Sequence, residues 1–251
     1  MLNEKELRVL DTLSEDSWVS GELLANNLKI SRTAVWKYIK KLTNLGYEID
    51  SSRKKGYRLI KLSEIHPMIR ILKKISLCFQ KISYHKVTIS TQQEAIKYLF
   101  NEKHNIIVFA DKQTGGRGHE NTNWPSPEGG IYFSAGFLPF KLFQNNLGEI
   151  TNIFKQAVEY AFNNHQIKIA VSGDDLIING RKIGGILEEH FSEGDRSVLV
   201  VIGVGIYLTN YSEDQESIYS LTGKSLNRWQ MLADIIEKSC KNLQEVKGLM
   251  F

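Results

Sequence analysis

The sequence predicts an α+β chain in two parts, a winged helix-turn-helix at the N-terminus and a larger domain built on a mixed sheet. Three observations carry this. Residues 1–62 show helical apolar stripes and then two alternating segments around a basic turn, whereas residues 79–251 interleave strand-like and helix-like runs. Asn179-Gly180, between Leu176-Ile177-Ile178 and Arg181-Lys182-Ile183, is a strong two-residue hairpin signal. With 42% apolar residues in 251, the chain can bury one sizeable core or two smaller ones, which a mainly disordered chain cannot.

Leu7, Leu10 and Leu13 recur at near-helical spacing, so Glu4 to Leu13 is expected to form a first helix. Ser20 is placed to cap a short second helix, Gly21-Glu22-Leu23-Leu24-Ala25, that stops around Asn26-Asn27. Ser31 can cap a third, Arg32 to Leu45, with Val35, Ile39 and Leu42 inward and Arg32, Thr33, Trp36, Lys37 and Lys40 outward. Gly46 ends it by permitting a left-handed turn. Tyr47-Glu48-Ile49-Asp50 and Tyr57-Arg58-Leu59-Ile60 flank Ser51-Ser52-Arg53-Lys54-Lys55-Gly56, a hairpin with a basic tip. This sets a winged domain over 1–62, a linker over 63–78 with helical character from Ser63 to Ser76, and a second domain over 79–251.

In that second domain, residues 79–84 and 86–89 read as extended, Gln92 to Phe100 as helix, and Ile106 to Ala110 and Gly130 to Phe137 as buried strands. Asn145 to Asn164 has a helical stripe of Ile150, Phe154, Val158, Ala161 and Phe162. Gly184 to Glu189 and Ser197 to Leu208 continue the sheet, and a last helix runs from Asn227 to about Gln244. Cys78 and Cys240 lack metal-ligand spacing and read as two buried thiols.

No apolar run reaches the roughly 18 residues of a spanning helix, and the acidic start Met-Leu-Asn-Glu-Lys-Glu is unlike a signal peptide; both predict a cytoplasmic protein. Residues 1–62 hold 12 Lys/Arg against 8 Asp/Glu, leaving 20 against 20 for the rest, so all of the net charge of +4 lies in the winged part. Such a local excess attracts a phosphate backbone, although a solvated basic face is the ordinary alternative on charge alone. A helix enters the major groove with its N-terminal residues at the base edges, while a basic wing holds flanking phosphates. The candidate contacts to double-stranded DNA are Ser31, Arg32, Thr33, Trp36 and Lys37 on the helix and Arg53, Lys54 and Lys55 on the wing; Trp36 could equally anchor the core. Small domains of this shape also dock proteins.

One stretch carries the chemical signal. Gln113-Thr114-Gly115-Gly116-Arg117-Gly118-His119 follows a strand, where a glycine-rich turn lets backbone N–H groups approach a ligand closely, and it leads through Trp124-Pro125-Ser126-Pro127-Glu128-Gly129-Gly130 into the next strand. Together with Ala110-Asp111, Ser90-Thr91 and the run from Arg181-Lys182 through Gly185-Ile186-Leu187-Glu188, this resembles the biotin protein ligase and biotin operon repressor family from about residue 5 to residue 245. The resemblance implies a ligase domain of the class II synthetase type after the winged helix. It places Ser90, Thr91 and Gln113 at the head of biotin, whose ureido group needs hydroxyls and an amide. Gly115, Gly116 and Arg117 fall in a loop that folds over the ligand, with Trp124 and Gly185 beside it. Lys182 is aimed at the valeryl carboxylate or the adenylate phosphate. Lys182 and Arg117 are the catalytic candidates if the chain is active, and no metal ligand is assigned. Taken singly, Ser90-Thr91 could be only a helix cap, Gly115 to Gly118 an ordinary turn and Lys182 a solvated hairpin residue.

The departures fall on the nucleotide side. Where the family continues with Arg-Arg-Gly-Arg, this chain has His119-Glu120-Asn121-Thr122; where the family has Lys-Trp-Pro-Asn-Asp, it has Val171-Ser172-Gly173-Asp174-Asp175; and Tyr207 replaces an Asn after Gly203-Val204-Gly205-Ile206. The chain also stops at Phe251, where family ligases continue into a small β-barrel. Removing one transition-state donor already costs about 10²–10³ in rate. The sequence therefore predicts a biotin-responsive transcriptional regulator, a repressor of ligase ancestry with weak or lost ligase activity. Biotin is its ligand, with ATP and Mg only if activity is retained. Its partners are operator DNA and a second copy of itself, plus a biotin carboxyl carrier protein only if it is active. Two other readings stay open, an active bifunctional ligase and repressor, and a regulator sensing a different small acid.

Overall fold

The computed structural model describes residues 8–10, 12–14, 17–44, 47–61, 78–102, 104–138, 148–193, 196–209 and 216–245. The chain divides into two compact units, residues 1–69 and 70–251. Most of the linker expected over 63–78, the start of the first helix and the turn at Gly46 lie outside the described residues.

In the first unit, residues 8–10 and 12 are helical. Helix α1 (Gly21–Leu28) is capped by Ser20, whose Oγ accepts from Leu23 N at 3.0 Å. It ends at Leu28, just past the expected stop around Asn26-Asn27, where Lys29 takes the left-handed conformation that closes it. Helix α2 (Arg32–Asn44) starts where Ser31 Oγ accepts from Ala34 N at 3.1 Å. Val35, Ile39 and Leu42 are buried, and Arg32, Thr33, Trp36, Lys37 and Lys40 are exposed. Strands β1 (Glu48–Ser52) and β2 (Gly56–Lys61) form an antiparallel hairpin with Arg53, Lys54 and Lys55 exposed at its tip. An HTH domain with a wing is the result.

The second unit is a seven-stranded sheet flanked by helices. Strands β3 (Lys81–Thr88), β4 (Ile106–Gln113), β5 (Ile131–Phe137), β6 (Ala170–Ser172), β7 (Asp175–Ile178), β8 (Arg181–Glu193) and β9 (Arg196–Ile206) lie in the order β3-β4-β5-β9-β8-β7-β6. Only β3 and β4 are parallel, joined through helix α3 (Thr91–Asn101), so the sheet is mixed as predicted. β3 is one strand where the sequence suggested two segments. Residues Arg181 to Glu189, expected as two pieces, likewise form part of the single strand β8. Asn179 (φ 50°) and Gly180 (φ 76°) make the β7–β8 turn.

Every residue of β5 is buried because both faces are covered. On one face Ala95 and Leu99 of α3 join Ile106, Val108, Leu199 and Val201. On the other, Phe133 and Phe137 meet Phe154 of helix α4 (Gly148–Asn164) at ring-centroid distances of 6.3 and 6.1 Å. Helix α5 (Ile218–Thr222), which the sequence reading missed, is set by a capping box between Ser217 and Ser220. The last helix, α6 (Arg228–Glu245), is pinned to β4 by an Arg228–Asp111 ion pair. Tyr84 Oη donates to the same carboxylate at 2.6 Å. Cys78 and Cys240 are buried free thiols. No described helix is long and apolar enough to cross a membrane.

Candidate functional site

A cavity of about 610 Å³ opens where the N-terminus of α3, the end of β4, the middle of β5, the β6–β7 turn, the first half of β8 and the end of β9 meet. Its floor is polar and uncharged. Ser90, almost fully buried, caps α3. Gln113 Oε1 accepts from Thr91 N at 2.8 Å, and its Nε2 donates to Ser126 Oγ at 2.8 Å. The Thr91 hydroxyl has one proton for two neighbours, Gln113 Oε1 at 3.1 Å and Ser134 Oγ at 2.8 Å. Ser134 donates to Gln92 Oε1 at 2.8 Å, and Gln92 Nε2 donates to Val201 O at 3.2 Å. This chain of amides and hydroxyls binds three strands to one helix end. Buried polar groups of this kind hold a geometry only when each has a partner.

The rim is a folded hairpin. Trp124 N donates to Gly116 O at 2.9 Å and Gly118 N to Thr122 O at 2.8 Å, with a 3-10 turn at His119–Asn121 between. An ion pair and a histidine–carboxylate contact fasten it. Arg117 Nη2 meets Glu189 Oε2 of β8 at 3.1 Å, and His119 Nε2 meets Asp174 Oδ2 at 3.1 Å. The other Asp174 oxygen takes Lys155 Nζ of α4 at 2.8 Å, and Lys182 Nζ lies 2.6 Å from Asp175 Oδ1. Arg117 Nε is buried without an acceptor.

Trp124 forms the wall. Its ring stacks on Tyr207, and Lys182 Nζ lies 5.2 Å from its centre. It rests on two glycines of the sheet: a Cβ at Gly205 would stand 2.5 Å from Trp124 Nε1, and one at Gly185 3.3 Å from Cη2. A larger residue at 205 would displace the indole.

Of the residues picked from sequence, Ser90, Thr91, Gln113, Arg117, Trp124, Lys182 and Gly185 line this one cavity. Gly115 and Gly116 do not. Gly115 is bound back to the end of β3 through Ile89 O, and Gly116 is closed in by Trp124 O and Ser126 Oγ, so both shape the loop from behind. Gln113 is also less free than its expected role requires, because its amide is spent on Thr91 and Ser126. The sequence reading missed Gln92, Ser134, Glu189 and Lys155. Gln92 directly follows Ser90-Thr91 and could have been suspected; Lys155, on a helix far along the chain, gave no signal. Among the described residues no group of three or more His, Cys, Asp or Glu is gathered to hold a metal ion.

In the winged unit, the named residues of α2 and the wing are exposed together with Lys40, whose Nζ lies 5.2 Å from the Trp36 ring centre. Trp36 is 52% exposed, which rules out the core-anchor alternative. Ser31 Oγ caps α2 and retains its proton as a donor.

The chain is an HTH domain followed by a mixed-sheet domain of the biotin ligase type, with a polar cavity under a folded loop. Residues 5–58 match the family described as HTH domain, and residues 84–206 match the biotin/lipoate A/B protein ligase family. Residues 84–206 thus carry a domain of the biotin/lipoate A/B protein ligase family. It is 37% identical over 220 residues to the bifunctional ligase/repressor BirA of Bacillus subtilis, covering 84% of this chain and 66% of that protein. It is 26% identical over 209 residues to the protein of the same name from Escherichia coli, covering 81% and 64%. The chain thus spans about two thirds of the length of these relatives. A solved neighbour is the biotin protein ligase of Aquifex aeolicus in complex with biotin and ATP, with TM-score 0.57, 26% identity and coverage of 68% of this chain and 73% of that one.

Proposed function

We propose that the chain is a biotin-responsive transcriptional regulator, a repressor of ligase ancestry with weak or lost ligase activity. The observation that carries this is the division of the cavity: a neutral floor of Thr91, Gln113, Ser134 and Gln92 under a rim whose Arg117, Lys155 and Lys182 are each paired with a carboxylate. The floor suits the neutral, hydrogen-bonding head of a cyclic urea. The rim is poorly suited to a triphosphate. Asp174 is paired with Lys155 and Asp175 with Lys182, so the residues present do not fit a divalent metal. Ser90, Thr91, Gln113, Arg117, Trp124, Lys182 and Gly185 are the proposed biotin contacts. Lys182 meets the ligand carboxylate in exchange for Asp175.

Ligand binding then steadies the Gly115–Asn123 loop, favours a homodimer, and lets two winged units engage operator DNA, so that affinity for DNA depends on ligand and falls with salt. Ser31, Arg32, Thr33, Trp36, Lys37, Arg53, Lys54 and Lys55 are the proposed DNA contacts. Incubation with ATP, radiolabelled biotin and a biotin carboxyl carrier protein tests the enzymatic half: little or no acceptor labelling is expected, and robust labelling overturns it. The retention of Lys182 and Arg117 at the rim favours the second reading, an active bifunctional ligase and repressor that needs ATP, Mg and the carrier protein. Tyr207 in the cavity wall favours a third, a sensor of another small acid, which predicts no heat on titration with biotin.

A further inference from the structure

The winged unit places one aromatic side chain where the DNA contacts named above do not use it. Val19 and Tyr57 exchange two main-chain hydrogen bonds, each of 2.8 Å, which tie the segment before α1 to the wing. In an antiparallel pair this register sets Trp18 opposite Arg58. Gly56 permits the close approach, since its φ is +98° and a Cβ there would stand 2.2 Å from Val19 O. The Arg58 guanidinium carbon lies 5.0 Å from the Trp18 ring centre and Lys55 Nζ 5.8 Å, both within cation–π range. Asp50 Oδ2 accepts from Arg58 Nη2 at 3.0 Å, so the arginine is held from a second side. A lysine on a four-carbon stem loses much freedom when it docks on a phosphate, and prior orientation removes part of that cost.

We infer that Trp18 is a positioning residue for DNA binding, which holds Lys55 and Arg58 of the wing ready for backbone phosphates. This rests on the DNA-binding reading of the winged unit. The ring gives Lys55 a preferred direction without neutralising it, and it orients Arg58 from the side opposite its Asp50 partner.

Fluorescence anisotropy of the full chain with a labelled DNA duplex of arbitrary sequence, measured over a salt series, tests it. Trp18→Leu is expected to weaken binding about three- to tenfold. It should also flatten the dependence of log affinity on log salt by about one phosphate contact. Trp18→Phe keeps an aromatic face and should retain most of both. In a Lys55→Ala background, Trp18→Leu should cost less than it does alone, because one of the groups it orients is gone. A general folding role predicts instead that the two effects multiply, and that outcome overturns the inference, as does a Trp18→Leu chain with unchanged affinity and slope. If the unsubstituted chain shows no salt-dependent duplex binding, the DNA reading itself falls and takes this inference with it. A wild-type chain that binds steeply with salt beside an indistinguishable Trp18→Leu chain removes the inference alone.

Discussion

Tyr207 lies flat against Trp124, with ring centroids 5.3 Å apart and planes 9° from parallel, and its hydroxyl donates to Pro125 O at 3.0 Å. The phenol therefore clamps both the indole and the backbone beside it. Because Tyr207 is only 2% exposed, Tyr207→Ala should cost about 3–5 kcal/mol of stability in denaturant unfolding. Tyr207→Phe keeps the stack and loses one hydrogen bond, which should cost about 1 kcal/mol. Equal losses for the two would show that the ring contributes nothing to holding Trp124.

Features of the fold that depend on neighbouring residues are legible in the sequence. Ser20, Ser31 and Asn179-Gly180 act on their own neighbours, so caps and turn were legible, and the strand-to-loop run from Gln113 to Gly130 carried the family likeness. The partners of the loop were not legible. Glu189 and Lys155 reach Arg117 and Asp174 only because β8 and α4 fold back beside the hairpin, and nothing in their flanking residues encodes that meeting. The family resemblance assigns Gly115 and Gly116 to a loop over the ligand, where a glycine-rich turn permits close approach. Here that space is taken by Trp124, Ser126 and Ile89. Helix α5 escaped because five residues are too few for a periodic stripe.

Tyr84 gives a prediction about alkaline stability. Burial, then its hydrogen bond to Asp111, raises its phenol above the ordinary value of 10.0. The folded state keeps the proton where the unfolded state releases it. This contribution is fully present below about pH 10 and is lost as pH rises from there toward the raised folded value. Thermal unfolding followed from pH 8 upward should show a steeper alkaline decline for the wild type than for Tyr84→Phe. Parallel curves would remove Tyr84 as a cause.

The Arg117–Glu189 pair should couple the rim loop to the sheet. Both side chains are about a quarter exposed, at 27% and 26%, so the pair is sheltered without being dry. Glu189→Ala leaves the guanidinium without its carboxylate, and a cost of about 1.5–3 kcal/mol is expected from the lost charged hydrogen bond. Arg117→Ala in the same chain should then cost little more. A double-mutant cycle in denaturant checks this, together with faster protease cleavage between residues 117 and 123 in the single Glu189→Ala chain. Strict additivity would mean that the two side chains are neighbours without energetic coupling.

Asp175 and a ligand carboxylate compete for one ammonium. Lys182 Nζ is 2.6 Å from Asp175 Oδ1 and lies over the Trp124 ring, so an acid entering the cavity must displace an existing partner before it gains the lysine. Asp175→Asn removes the competing charge while keeping the shape, and biotin affinity measured by calorimetry should rise. Lys182→Ala removes the shared cation and should lower it. Because both side chains are nearly half exposed, at 47% and 43%, solvent weakens the exchange, and each change is expected to be about three- to tenfold rather than the hundredfold of a buried pair. In the Lys182→Ala background, Asp175→Asn should lose its benefit, since the carboxylate then has no lysine to withhold. Improvement that persists there would mean that Asp175 acts by simple repulsion of the anion, and Lys182 would no longer be the group that receives it.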